Sequence, residues 1–186
     1  MESNLYIGLV HYPIYDKQKE VVATAVTNFD IHDIARCAKT FGLGGFFVIT
    51  PLDSQIQLVE RIIGHWVEGY GARYNPTRKE SLSLVRISRS IEDAVSEIGR
   101  LGRKSVKRIA TGAQSHPDRI GYEPLRGILG DPETSFLLLF GTGWGLTQEV
   151  KDRSDYFLAP FEGKGFNHLP VRCAVAIILD RLVGER

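Results

Sequence analysis

The chain has 186 residues, of which 43% are hydrophobic and 24% charged, with a formal net charge of +1. This length suits one compact domain, and the balance excludes a disordered or low-complexity chain. The longest apolar runs are too short to cross a bilayer and the first residues lack the basic and apolar regions of a signal peptide, so a cytoplasmic protein with no membrane partner is expected.

Residues 5–11 are a predicted strand that stops before Pro13, residues 13–20 are turn-like, and 21–27 are a second β-rich run. Asp30 is the expected N-cap of a helix from Ile31, in which Ile31, Ile34, Ala35, Ala38 and Phe41 share one face until Gly42 and Gly44 stop it. Residues 45–50 form a short buried strand ended by Pro51. Ser54 and Gln57 have capping-box spacing ahead of a helix striped by Ile56, Val59, Ile62, Ile63, Trp66, Val67 and Tyr70. Residues 69–77 contain three breakers and predict a loop. Residues 82–87 alternate as a strand, and Ser90 with Asp93 caps a helix that buries Ile91, Ala94, Val95, Ile98 and Leu101. Residues 106–111 are a strand, 112–124 a long polar loop, and 125–129 one or two helical turns.

The chain is organised around residues 135–145, where five apolar residues from Phe136 to Phe140 run straight into Gly141, Gly143 and Gly145. The run has the length of a strand buried on both faces, and a glycine turn after such a strand stands where open parallel sheets bind ligands. A short helix over 146–153 follows with Thr147 as a possible N-cap, then a strand over 155–159 ending at Pro160, a glycine-rich loop over 162–167, and a last helix from about His168. That helix places Val171, Ala174, Val175, Ile178, Leu179 and Leu182 on one face. Strands and helices therefore alternate throughout, which predicts a parallel-sheet α/β fold with helices on both faces. Cys37 and Cys173 lie in apolar helical patterns and are expected to be reduced core residues. His116 has no second ligand at metal spacing, so no metal is expected. Between Arg73 and Arg108 ten Lys/Arg, including Arg103, Lys104 and Lys107, face four Asp/Glu, a possible phosphate-binding surface. Tyr74, Arg73 and Arg78 are either exposed loop residues without a partner or contacts for a nucleic acid by stacking and phosphate pairing.

Three stretches, taken together, carry a resemblance. They are residues 28–36 continuing to Phe41-Gly42, residues 137–150, and Tyr156-Phe-Leu-Ala-Pro160 through His168-Leu-Pro-Val-Arg172 into the final helix. In this order and spacing the chain resembles the SPOUT class of S-adenosylmethionine-dependent RNA methyltransferases, closest to its small members built of the knotted domain alone. The resemblance implies a single domain over 1–186 with a C-terminal trefoil knot, a homodimer with the cofactor near the subunit interface, and an RNA substrate. Carried over by position, Gly141, Thr142, Gly143, Trp144 and Gly145 would form one wall of the S-adenosylmethionine pocket, and Leu158, Ala159 and Pro160 another. The loop with Gly163, Gly165, Phe166, Asn167, His168 and Leu169 would close over the cofactor. Arg172 would meet a cofactor carboxylate, an RNA phosphate or Glu162. Arg36 falls where ribose-methylating members carry an arginine, and its fixed charge suits it to holding a phosphate or a developing anion. His168 and Asp33 are the candidate proton acceptors. The chain has His168-Leu169-Pro170 where those members usually carry Ser-Leu-Asn, so the nucleophile could be a ribose 2′-hydroxyl or a ring nitrogen. Two other readings stand beside this one: a non-catalytic dimeric protein that binds cofactor or RNA, and a flavodoxin-like or Rossmann binder of FMN or NAD, for which the full Gly-x-Gly-x-x-Gly pattern is missing.

Overall fold

The computed structural model describes residues 3–101, 105–114 and 116–185. The chain begins with β1 (Leu5–Val10), a small antiparallel hairpin of β2 (Ile14–Tyr15) and β3 (Val21–Val22), α1 (Asn28–Thr40) and β4 (Gly45–Ile49). It continues through α2 (Asp53–Val67), α3 (Tyr70–Tyr74), α4 (Pro76–Leu82), β5 (Val85–Ser88), α5 (Ile91–Arg100) and β6 (Ser105–Ala110). The last part comprises β7 (Arg119–Ile120), α6 (Tyr122–Leu129), β8 (Thr134–Gly141), α7 (Gln148–Asp152), β9 (Tyr156–Leu158) and α8 (Val171–Val183).

Seven strands form one sheet in the order β5-β4-β1-β8-β6-β9-β7, and every neighbouring pair is parallel. At its centre β1 pairs with β8 from Leu5 opposite Phe136 to Val10 opposite Gly141. The apolar run of β8 serves both faces by strand alternation. Phe136, Leu138 and Phe140 join Leu5, Ile7 and Leu9 under α1, α6 and α8, whereas Leu137 and Leu139 join the second core with residues of α5 and α7. The expected two-faced parallel sheet is present.

The structure corrects several element boundaries. The run over 21–27 shrinks to the two residues of β3, because its partner is the short β2 in the segment that the sequence made turn-like. Thr27, not Asp30, caps α1: its Oγ1 accepts the Asp30 N–H at 3.2 Å and its hydroxyl donates to the Asp30 carboxylate at 2.6 Å. Ser54 and Gln57 lie inside α2, which starts after Leu52 with no side-chain cap. The breakers of 69–77 are helix starts: Gly69 precedes α3, and Asn75 caps α4 through the Arg78 N–H, with Pro76 in the first helical position where it lacks no needed donor. Helix α8 starts at Val171, so His168 stands outside it. Cys37 is half-buried and Cys173 exposed, so Cys173 is not a core residue, and neither is in a disulfide.

The caps make a direct comparison. Thr27→Ala should lower stability by about 1 kcal/mol, whereas Ser54→Ala should stay within about 0.5 kcal/mol of wild type, both measured by urea unfolding.

Candidate functional site

The chain leaves β1 for α1 on one face of the sheet and leaves β8 for α7 on the other. Neighbouring parallel strands whose connections diverge open a crevice at their carboxyl ends, the usual ligand site of such sheets. Val10 and Gly141 sit at its lip. Segment 11–27 lies across it: Trp144 N–H bonds to the Tyr15 carbonyl at 3.0 Å, Tyr15 N–H to the Gly145 carbonyl at 3.0 Å, and Thr24 N–H to the His11 carbonyl at 2.9 Å.

Two glycines of the turn are required by the chain itself. A Cβ on Gly141 would lie 2.6 Å from the Leu146 amide nitrogen, because the turn closes back on its own strand. Gly143 has φ +54°, and a Cβ there would meet Ile14 Cδ1 at 2.7 Å, so the hairpin packs against it. Gly145 adds a backbone requirement of its own at φ +96°, but among the described residues nothing lies within 4 Å of a Cβ position there, and Trp144 beside it is 64% exposed. That is the open side of the turn.

A buried polar chain supports this turn. The Thr142 hydroxyl donates to the Val10 carbonyl at 3.0 Å, Thr24 Oγ1 lies 2.6 Å from Thr142 Oγ1, and His11 Nδ1 lies 3.0 Å from Thr24 Oγ1. Each hydroxyl has one proton to give. With Thr142 committed to Val10, Thr24 must donate to Thr142 and accept from His11. Nδ1 of His11 therefore carries the proton, and Nε2, fully buried and without a partner, presents a bare lone pair. Burial pushes the His11 pKa down to about 4 against the opposing pull of Asp30. Neither His11 nor Thr24 was singled out from the sequence. A histidine closing an apolar strand was visible, but its partners come from residues far along the chain.

The remaining predicted cofactor residues are placed as follows. Leu158 is buried in the core, and the Ala159 N–H is already bonded to the Ile120 carbonyl at 2.8 Å, so their contribution is to hold the strand end, with half-buried Pro160 beyond it. Across the 163–169 loop, Gly165 takes φ +84°, and Asn167 Nδ2 donates to the Phe161 carbonyl at 3.0 Å and the Ala113 carbonyl at 3.3 Å. Asn167 thus braces the loop. Phe166 is 73% exposed and lies edge-on to His168, and Leu169 is also exposed.

Among the described residues the catalytic candidates make separate contacts. Arg172 meets Asp30 and Asp33 on α1, each at 3.4 Å, and its expected partner Glu162 is not among them. This explains an arginine in a first helical turn: the carboxylates offset its poor fit to the dipole. Asp33 is thereby tied to Arg172 rather than to Arg36. His168 is exposed and three residues ahead of α8. Arg36 is exposed, about 12 Å along α1 from its first residue, and lines a cleft with α4 instead of facing the glycine turn. The basic stretch is largely paired in its later part: Arg86 with Glu97, Arg89 with Asp53, Lys107 with Asp155 and Arg108 with Glu92. Arg103 and Lys104 lie outside the described residues. His116 stacks on Phe157 at 4.7 Å.

Solved SpoU-type methyltransferases share this fold. The SpoU methyltransferase AviRb from Streptomyces viridochromogenes, solved in complex with AdoMet, superposes with a TM-score of 0.57 at 16% identity over 98% of this chain and 57% of that one. Residues 4–184 match the SAM-dependent RNA methyltransferase family, and the chain belongs to it. A tRNA (guanine-N(1)-)-methyltransferase of Oleidesulfovibrio alaskensis is 44% identical over 183 residues, a match covering 98% of this chain and 42% of the relative. An uncharacterized protein of Aquifex aeolicus is 36% identical over 183 residues, covering 98% of this chain and 89% of the relative. The chain thus spans about two fifths of the first relative and most of the second.

The buried histidine gives a pH signature. Its unfolded form binds a proton below about pH 6.5 while its folded form resists down to about 4, so the stability it contributes is present at neutral pH and lost as pH falls through that window. Urea unfolding should show a loss of roughly 2 kcal/mol between pH 7 and pH 5, absent in His11→Gln.

Proposed function

We propose that this protein methylates tRNA from S-adenosylmethionine bound at the β1–β8 crevice. The observation that carries the reading is the glycine turn on that crevice in a chain of the SAM-dependent RNA methyltransferase family. The residues fit the cofactor. The open side of the turn at Gly145, the exposed ring of Trp144, and the exposed apolar Phe166 and Leu169 of the 163–169 loop would supply flat, weakly polar walls for an adenosine. When bound, the cofactor supplies an electrophilic methyl on a sulfonium. The chain's part is to hold turn and loop rigid, which is what Thr142, Thr24, His11 and Asn167 do.

The tRNA substrate is carried from the name of the Oleidesulfovibrio relative. The guanine-N1 position is not, because more than half of that relative lies outside the match and is long enough to hold chemistry of its own. We further propose a homodimer and a cytoplasmic site of action. Phe29, Leu52, Trp144, Phe166 and Leu169 are all exposed around the carboxyl ends of the strands, more apolar surface than a free monomer usually leaves at one edge. We also propose the C-terminal knot: residues 159–170 leave the sheet beside the 111–121 connection, to which Asn167 is bonded through Ala113. A second reading, a dimeric binding protein without turnover, is favoured by one observation: Asp33 is held by Arg172, while Arg36 lines the α1–α4 cleft.

Calorimetry should find saturable binding of S-adenosylmethionine and none of NAD or FMN. Gly143→Val should weaken it at least tenfold, since both the positive φ and the Ile14 contact oppose a side chain. Labelled methyl should transfer to tRNA and be lost in Arg36→Ala. Digestion to nucleosides then separates a ribose from a base product. Cofactor binding with no transfer to any tRNA would leave the second reading.

A further inference from the structure

Away from the crevice, α3 and α4 lean on α1 and α2 around one indole. Trp66 has His32 edge-on at 5.4 Å, His65 edge-on at 4.9 Å, and the Arg78 guanidinium over its ring at 4.6 Å. Arg78 is thus held flat beside a cleft of about 280 Å³ between α1 and α4, which Arg36, Lys39 and Asn75 also line. Among the described residues, neither Arg36 nor Arg78 has a carboxylate within ion-pair distance, and Lys39 meets only Glu80 at 3.7 Å across solvent. His32 beside them has its pKa lowered, by burial first and then by Arg78, against the opposing pull of Asp33, with Arg36 adding to the lowering. Three cations and one anion line this concave site, and Trp66 positions one of the cations, Arg78. Self-repulsion of this kind is relieved by a bound anion.

Next to the cleft is a second feature of independent origin. Tyr70 and Tyr74, one turn apart on α3, stack on each other with centroids 6.0 Å apart and planes within 21°, and are 69% and 74% exposed. Asn75, the next residue, both caps α4 and lines the cleft, so rings and cations belong to one continuous surface. Flat aromatic faces beside fixed cations suit a nucleic-acid strand whose bases are unstacked, since bases in an A-form helix are closed to such contact.

We propose that the α1–α4 cleft with the Tyr70–Tyr74 pair is the docking surface for a single-stranded or loop segment of the RNA substrate. A backbone phosphate lies against Arg36, Lys39 and Arg78, and unpaired bases stack on the tyrosines. The proposal rests on the RNA-methyltransferase reading but adds to it the surface and the strandedness of the substrate.

The test is fluorescence anisotropy with a labelled oligouridine and a blunt RNA duplex of the same length, over a series of salt concentrations. Wild type should prefer the single strand. Tyr70→Ser with Tyr74→Ser should weaken that binding on the order of tenfold or more. Lys39→Gln and Arg78→Gln should each lower the slope of log K against log salt by about 0.7, as loss of one phosphate contact to a single strand requires. Calorimetric binding of S-adenosylmethionine should stay as in wild type for all of these variants. Unchanged affinity and slope would overturn the surface, as would sedimentation showing that the variants dissociate into monomers while still binding RNA normally. A wild-type protein with the expected slopes that never binds S-adenosylmethionine would support the surface and overturn the methyltransferase reading.

Discussion

The structure depends on the parallel pairing of β1 with β8. Both strands are buried on both faces, and side chains such as Ile7, Leu9, Leu138 and Phe140 are removed from water almost completely. Burial on this scale contributes about 1.5–3 kcal/mol for each large apolar side chain. The same pairing creates the site. Two adjacent strands in register end together, and because their connections leave toward opposite faces, nothing of the sheet fills the space beyond them. What occupies its edge is the short hairpin and the Val10–Thr142–Thr24–His11 chain of hydrogen bonds.

That chain shows how the glycine turn is kept in place without a charge. A neutral imidazole deep in the fold, with its proton direction set by two hydroxyls, anchors a turn that has surrendered its side chains. An ionised group in the same position would need a partner of its own and would bring a larger desolvation cost. The charged residues are arranged differently. Arg172 gathers the buried Asp30 and the more exposed Asp33, and so fixes the start of α8 against α1. Because the 163–169 loop leads into α8, this ion cluster also sets the end of that loop.

Two surfaces of opposite character result. The carboxyl edge of the sheet is ringed by exposed apolar side chains, while the outer side of α1 and α4 is basic and aromatic. Arg36 belongs to the second although the family resemblance links it to the chemistry of the first. In one protomer the two are separated along α1, so any role of Arg36 in methyl transfer depends on an RNA or a second chain that spans both.

The amino-acid sequence by itself determined the sheet. Period-two and uninterrupted apolar runs, such as Phe136–Phe140, carry their meaning locally, and the alternation with amphipathic segments leaves a parallel sheet as the consistent outcome. The glycine turn and the Thr147 and Ser90 caps were legible for the same reason: their partners lie within a few residues. What only the tertiary structure decided depends on partners distant in the chain. Thr142 needs Thr24, Arg172 needs Asp30 and Asp33, and Asn167 needs Ala113, none of which spacing can indicate. Breakers were misread where context reversed their meaning, since Asn75 and Pro76 start α4 as readily as they could end a helix. His168 and Arg36 carry suitable chemistry in the sequence, but only their positions beyond α8 and beside α4 decided what each can reach.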